Sequence, residues 1–241
     1  MDRLGVDAYD DPGATRAAAA ASPIVAVLGA GGHGSEVQAY FKDLLRYGWQ
    51  GTLLGFADDA APVGRHRNLD IIGTVESVCA EAGKTAGLHY FTALGNNPAR
   101  RALVQRVEQL ATGLPAFTLI HPTAYLGEEI QIGEGTLLAP YSVITARVKV
   151  GRHCILNVKA SVSHDCEVGD FVNLNPGVTV CGNCKIGDAA YVGAGATVMN
   201  GISVGAGAIV GGGAMVTCDI PPHTTAVGVP ARVIKHHEPT A

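Results

Sequence analysis

A six-residue beat runs through the chain from Ile120 to Val216, and few folds can accommodate it. Every sixth residue, from Ile120 through Leu138, Leu156, Leu174 and Val192 to Val216, is Ile, Leu or Val, 17 in succession without a phase slip. Four residues after each of these the side chain is small or compact, as at Ala124, Thr136, Cys154, Ala160, Cys166, Cys184 and Ala196, with Ile130 and Ile202 the largest. Gly, Asp and Asn crowd the positions between. A fixed hexad is the signature of a hexapeptide-repeat parallel β-helix.

Three hexads make one triangular coil, and each side is a short parallel strand. The aliphatic residue of each hexad points inward and stacks on its counterpart in the next coil, three hexads on. The compact residue faces the same narrow interior near a corner, where Gly and Asn supply backbone freedom. Each buried Ile, Leu or Val contributes roughly 1.5–3 kcal/mol before chain entropy is subtracted. The result is a core drawn out along an axis. A β-sandwich would require period-2 alternation with irregular turns, which this stretch lacks.

A different unit precedes it. Ile24–Leu28 reads as an apolar strand and is followed at once by Gly29-Ala30-Gly31-Gly32-His33-Gly34, which fits G-x-G-x-x-G. Val37, Tyr40, Phe41, Leu44 and Leu45 then give helical spacing. A second strand, Thr52–Ala57, ends in Asp58-Asp59, where a carboxylate reads a ribose hydroxyl in dinucleotide folds. A third, Leu88–Leu94, leads into Gly95-Asn96-Asn97, with Asn97 capping the next helix and Pro98 in its first position. A last strand, Ala116–Ile120, enters the first coil. This is one mononucleotide half and not two, so it points to a nucleotide-linked group more than to NAD. The expected organisation is a tail over 1–22, a Rossmann-like α/β nucleotide-binding domain over 23–117, a β-helix over 118–220, and a closing segment and tail over 221–241.

A net charge of −4 presents no basic face for nucleic acid, and no apolar run is long enough to span a membrane. With no signal-peptide pattern at its start, the chain is expected to be cytoplasmic. Cys154, Cys166 and Cys184 fall on the inward compact position and read as core. Cys181-x-x-Cys184 has no second pair to complete a structural zinc site, so no metal is expected. Chemistry belongs at outward positions. His164 is a candidate general base, and Asp165 either holds its tautomer or is merely solvated. His121 and His153 fall on other hexad phases, which argues against a three-histidine metal centre. His33, inside the glycine turn, is placed to donate to a phosphate or sugar or to cap the helix.

Taken together, V-L-G-A-G-G-H-G, G-F-A-D-D at 55–59, A-L-G-N-N-P-A-R-R at 93–101, I-H-P-T-A at 120–124, S-H-D-C-E-V-G-D-F at 163–171 and V-G-V-P-A-R-V-I near the end resemble the PglD/NeuD type of hexapeptide-repeat sugar acetyltransferases. The resemblance implies a left-handed parallel β-helix, a homotrimer, acetyl-CoA as co-substrate and a nucleotide-activated sugar as acceptor. It implies His164 as general base with Asp165 beside it. It places Gly31, Gly32, His33, Asp58, Asp59 and Gly95 at the nucleotide sugar, and Ala194 and Gly212 along the acetyl-CoA groove. Asn173 stands where the studied amino-sugar enzymes carry a second histidine near the thioester, and its amide is considered as an oxyanion donor. The expected activity is N-acetylation of a nucleotide-linked amino sugar by direct transfer. O-acetylation of a sugar or sialic acid, a zinc-dependent hydratase and a non-catalytic nucleotide-binding scaffold stand as the alternatives.

Overall fold

A computed structural model describes residues 22–238, so the expected N-terminal tail lies outside the described residues except for Ser22. In the first domain β1 (Ile24–Leu28) pairs in parallel with β2 (Thr52–Ala57) on one side and β5 (Leu88–Thr92) on the other. The helix α1 (Gly32–Arg46) follows β1 directly. A hairpin, β3 (Gly64–His66) with β4 (Leu69–Gly73), and a short helix α2 (Val75–Cys79) were not legible in the sequence. They extend the sheet to the order β3-β4-β2-β1-β5. The expected strand at 116–120 reduces to a single bridge between Tyr90 and Ala116 and a two-residue strand, Leu119–Ile120.

Leu119–Ile120 begins a left-handed parallel β-helix. Its register is one coil of three hexads throughout, as in Ile155 against Asn173 or Ser161 against Thr179. The strands form three faces of eight, six and five strands. The fourteen aliphatic hexad positions from Leu138 to Val216 are all buried. Ile120, Leu126 and Ile132 are not, Leu126 being 37% exposed. They form the first coil, and no earlier coil covers them. At the other end Thr224–Val227 adds in parallel to Ile209–Val210, Arg232–His236 returns antiparallel, and Ile220, Ala226 and Ala231 close the core.

The corner chemistry differs from expectation. In every hexad from Leu126 to Val210 the residue three after the aliphatic one has positive φ, yet glycine fills only some of these corners. Tyr141, His153, Lys159, Asp165, Phe171 and Ala189 adopt the same left-handed conformation, at a cost of about 1 kcal/mol or more each. From Arg147 to Gly213 each corner N–H donates to a carbonyl of the preceding coil, as Asp165 does to Ala146 (3.0 Å) and Phe171 to Arg152 (2.9 Å). The stacked coil therefore over-determines a conformation that an isolated turn would reject.

The two domains share an apolar joint in which Phe41, Phe91 and Val25 pack on Leu137 and Ile155 of the eight-stranded face. A polar lock sits beside it. The helix α3 (Asn97–Leu110) is capped by Asn96, whose side chain accepts from the Ala99 N–H at 2.9 Å. Asn97, expected as that cap, is instead buried and turns its amide to the carbonyls of Phe171 and Ala189, both at 3.1 Å. Arg100, one turn on and 1% exposed, donates to the carbonyls of His153 (2.9 Å), Phe171 (3.1 Å) and Leu94 (2.8 Å) and to Asn173 Oδ1 (2.6 Å). Burial draws its pKa down to about 10, still high enough to stay charged at neutral pH.

Arg100→Met should orphan the His153 and Leu94 carbonyls and Asn173 Oδ1 in the joint, costing of the order of 3 kcal/mol or more. The expected signature in hydrogen exchange is loss of protection across α3 and β5 while the β-helix strands keep theirs. Uniform protection in the variant would show that the lock is dispensable.

Candidate active site

His164 and Asp165 occupy the corner between the strands Ser161–Val162 of the six-stranded face and Glu167–Val168 of the five-stranded face. His164 Nδ1 lies 2.7 Å from Asp165 Oδ2. An ionised carboxylate can only accept, so Nδ1 carries the proton and Nε2 is left with its lone pair. Asp165 is not simply solvated. Arg147, at the equivalent corner one coil earlier, donates through Nε to Oδ1 at 2.7 Å and through Nη2 to Oδ2 at 3.0 Å. The Arg147 hydrogen bonds, then the one from His164, hold the Asp165 pKa down to about 2. The carboxylate is thus ionised wherever the imidazole can act as a base.

The next coil supplies the floor. A Cβ on Gly182 would lie 2.7 Å from His164 Cε1 and 2.8 Å from Nε2, so the ring rests on a position that only glycine leaves open. Gly182 does not have positive φ, and the backbone alone gives no reason for glycine there. Equivalent positions elsewhere carry Ala146, Val158, Ala194 or Asn200. Arg147 and Gly182 were both missed in the sequence, although each lies exactly one coil along the chain from a residue that was picked out.

Ala194 and Gly212 stack on a different edge, between the eight- and six-stranded faces. Both are exposed, and among the described residues neither backbone N–H has a partner. The corner pairs here include Pro176-Gly177, Ala194-Gly195 and Gly212-Gly213, a smooth stretch of wall on which the free N–H groups of Ala194 and Gly212 suit the amide carbonyls of a pantetheine arm. This edge and the His164 edge do not converge within one chain.

Asn173 belongs to neither edge. It lies on the eight-stranded face beneath the α/β domain and is 3% exposed. Its Oδ1 accepts from Arg100, and its Nδ2 donates to the Gly95 carbonyl at 2.6 Å. The oxyanion role considered for this amide is therefore corrected. The first domain covers that face, and the amide ties the loop after β5 to the β-helix.

The nucleotide end has the form of a phosphate turn. Gly29 has φ of +108°, and a Cβ on Gly34 would meet the Gly29 carbonyl at 2.6 Å, so these glycines serve the turn and the close packing of helix on strand. Nothing lies within 4 Å of a Cβ on Gly31 or Gly32, which leaves their backbone open to a ligand at a helix N-terminus that no side chain caps. His33 Nδ1 pairs with Glu36 at 2.9 Å, within the first turn of α1. Asp58 binds the turn itself, accepting from the Ala30 N–H at 2.8 Å and the Ala60 N–H at 2.9 Å. Asp59 accepts from the Val75 N–H and pairs with Arg106, which also holds Glu76. A groove of about 450 Å3 runs past Gly29, Asp58, Asp59 and Leu94 at the carboxyl ends of β1, β2 and β5, where open α/β sheets bind ligands. Gly95, at the end of β5, is exposed.

Two further histidines, His153 and His121, are structural. His153 is buried between Phe171 and Tyr90, with ring centroids 5.2 and 6.0 Å away, and burial lowers its pKa to about 4. His121 accepts from the Thr123 N–H and faces Asp43 of α1 at 3.3 Å, across the domain joint. Among the described residues no three His, Cys, Asp or Glu side chains cluster so as to hold a metal ion. Cys154, Cys166 and Cys184 are buried on the inward position, and each thiol contacts a backbone carbonyl.

Gly182→Ala should push the His164 ring off its floor. With an ordinary φ at that site, thermal stability should hold or rise slightly, while kcat should fall by about tenfold or more. Wild-type turnover in this variant would show that the ring position is not critical.

The sequence profile of the PglD N-terminal domain matches residues 24–107. Solved structures extend the likeness over almost the whole chain. The acetyltransferase domain of PglB from Neisseria gonorrhoeae, in complex with acetyl coenzyme A, is 31% identical, with a TM-score of 0.78 over 88% of this chain and 100% of its own. WeeI from Acinetobacter baumannii is 31% identical, with a TM-score of 0.77 over 88% of this chain and 99% of its own. A histidine-to-asparagine variant of perosamine N-acetyltransferase from Caulobacter crescentus, in complex with CoA and GDP-perosamine, is 29% identical, with a TM-score of 0.78 over 90% of this chain and 98% of its own. No curated protein sequence matches. With the glycine turn, the docked β-helix and the His164 corner in place, the chain belongs to the PglD/NeuD-type family of hexapeptide-repeat acetyltransferases.

Proposed function

We propose that this protein transfers the acetyl group of acetyl-CoA to the amino group of a nucleotide-linked amino sugar, with His164 as the general base. The observation that carries this reading is the His164 corner, where Asp165 fixes the proton on Nδ1 and leaves Nε2 outward over Gly182. The amine nitrogen attacks the thioester carbonyl as Nε2 takes its proton. The N–C bond forms, the C–S bond breaks, and the imidazolium returns the proton to the departing thiolate. The Gly182 N–H has no partner among the described residues, and we assign it as a backbone donor to the oxyanion.

Transfer is direct in this reading. Burial pushes the thiols of Cys154 and Cys166 up to about 12 and about 11, so neither is a nucleophile near neutral pH. The amine acceptor is supported by the perosamine N-acetyltransferase bound to GDP-perosamine. The open glycine turn and the groove beside Asp58 and Asp59 hold the nucleotide, and Asp58, already fixed by two backbone donors, offers its remaining lone pairs to a ribose hydroxyl. No helix among the described residues is long and apolar enough to cross a membrane, and we place the reaction in the cytoplasm with its acetyl-CoA supply.

We further propose a homotrimer, because the base and the pantetheine wall lie on separate edges and need a neighbouring chain to meet. His164→Ala should lose at least about a hundredfold in kcat with its assembly state unchanged, measured as thiol release with UDP-, dTDP-, GDP- and CMP-linked amino sugars. Full activity in that variant would remove His164 from the mechanism. Gly212→Trp, which blocks the other edge, should also be inactive. Co-expression of the two inactive chains should restore turnover, since mixed trimers contain an interface with both edges intact. No recovery would place the whole site within one chain.

A further inference from the structure

We propose that Arg147 is a positioning residue for the transfer reaction, gripping both oxygens of Asp165 so that the carboxylate holds the Nδ1–H of His164 and leaves Nε2 as the open base. The inference rests on the reading of His164 as that base. Arg147 and Asp165 sit one coil apart at equivalent corners, with φ of +50° and +59°. Corners of this kind stack at the strand spacing of about 4.8 Å, so the two side chains leave the edge side by side. The guanidinium reaches Oδ1 through Nε at 2.7 Å and Oδ2 through Nη2 at 3.0 Å, and Oδ2 is the oxygen that faces His164 Nδ1 at 2.7 Å. The imidazole is thus the end of a three-member chain of contacts whose far end is a planar fork.

The fork is needed because the corner is wet. Asp165 and His164 side chains are 35% and 50% exposed. A lone aspartate there is free to rotate its carboxylate towards water, and the ring would then be free to take its other tautomer, with the proton on Nε2 where the base must act. A bidentate pair fixes the carboxylate plane, which a single ammonium cannot do. Arg147 also has a second acid available, Glu129, at the same corner of the preceding coil, yet its ion pair is with Asp165. As an exposed ion pair it contributes little to folding. Stability therefore gives no account of the geometry, and the geometry points to the imidazole.

The test compares Arg147→Ala, Arg147→Lys, Asp165→Asn and the Ala/Asn double variant with His164→Ala, using full-length protein, acetyl-CoA and the best acceptor from the sugar panel. Arg147→Ala should lower kcat by at least about tenfold, towards the roughly hundredfold cost of ångström-scale misplacement, with both KM values little changed. It should cause no further loss in the Asp165→Asn background, and lysine should restore only part of the rate. Nitrogen-15 NMR of the histidine rings, at a pH where they are neutral, should show His164 moving from the Nδ1–H towards the Nε2–H tautomer in Arg147→Ala. Several results would overturn the proposal: unchanged kcat and tautomer, additive losses in the double variant, or a raised KM with unchanged kcat, which would mean that Arg147 binds substrate directly. If His164→Ala keeps its activity, the base reading falls whatever Arg147 does. If His164→Ala is inactive while Arg147→Ala turns over normally, only the role of Arg147 falls.

Discussion

The grip of one helix on the outward carbonyls of one prism edge is the contact on which the two-domain arrangement depends. From Arg147 to Gly213 the left-handed corner residue gives its N–H to the coil before it, while its own carbonyl has no backbone partner among the described residues. His153, Phe171 and Ala189 are successive corners of the edge between the five- and eight-stranded faces. Asn97 and Arg100 are three apart on α3, so their side chains leave the helix about 4.5 Å apart along its axis, close to the coil spacing of about 4.8 Å. One turn of helix therefore reads three rungs in register. The acceptors are neutral, and no carboxylate joins them. A buried guanidinium stays charged here because oxygens surround it, and removing it would leave the His153 and Leu94 carbonyls and Asn173 Oδ1 unpaired, while Phe171 keeps the Asn97 amide. Asn173 completes the lock by tying Gly95 to the β-helix, which fixes the loop after β5 to the prism that carries His164.

Strain is distributed in the same way. A left-handed conformation at a non-glycine residue is costly in isolation, yet Asp165 and Arg147 both adopt it, and both belong to the His164 edge. The stacked N–H···O bonds and the aliphatic ladder hold the backbone there, so the direction of each outgoing side chain is set before any ligand arrives. That is preorganisation at the level of the main chain. It explains how an exposed dyad on a corner without helix or long strand can hold a defined geometry.

The prism was legible because its period is physical. An inward residue every six positions, with a compact one four later, is the only arrangement that keeps a triangular interior filled, and Leu138 to Val216 obey it. The same reasoning identified His164 as outward and the cysteines at 154, 166 and 184 as core. What stayed hidden lies across coils. Gly182 and Arg147 are meaningful only as neighbours one full coil away, and a reading along single hexads does not compare residues in columns. Asn96 and Asn97 illustrate a second limit. Either can cap a helix, and the choice fell to the tertiary partner, because only Asn97 faces Phe171 and Ala189. Asn173 failed for a related reason: its hexad phase marks it as outward, but nothing local says that the first domain covers that face.

The three edges of the prism thus carry three separate tasks. The edge of His153, Phe171 and Ala189 commits its outward carbonyls to α3 and is closed to chemistry. The edge of Pro176-Gly177, Ala194-Gly195 and Gly212-Gly213 carries only small side chains and leaves the N–H groups of Ala194 and Gly212 without a partner among the described residues, as the proposed wall for a long flexible arm requires. The edge of Arg147, His164, Asp165 and Gly182 keeps polar side chains and one glycine on which a ring can lie. Exchanging these sets would fail on elementary grounds. A histidine–aspartate corner on the first edge would collide with α3, and side chains on the second would block the arm. Because a straight prism holds its edges apart, the His164 edge and the edge of Ala194 and Gly212 do not converge within one chain. In the proposed trimer, rotational packing of identical copies would bring these two edges together at every interface.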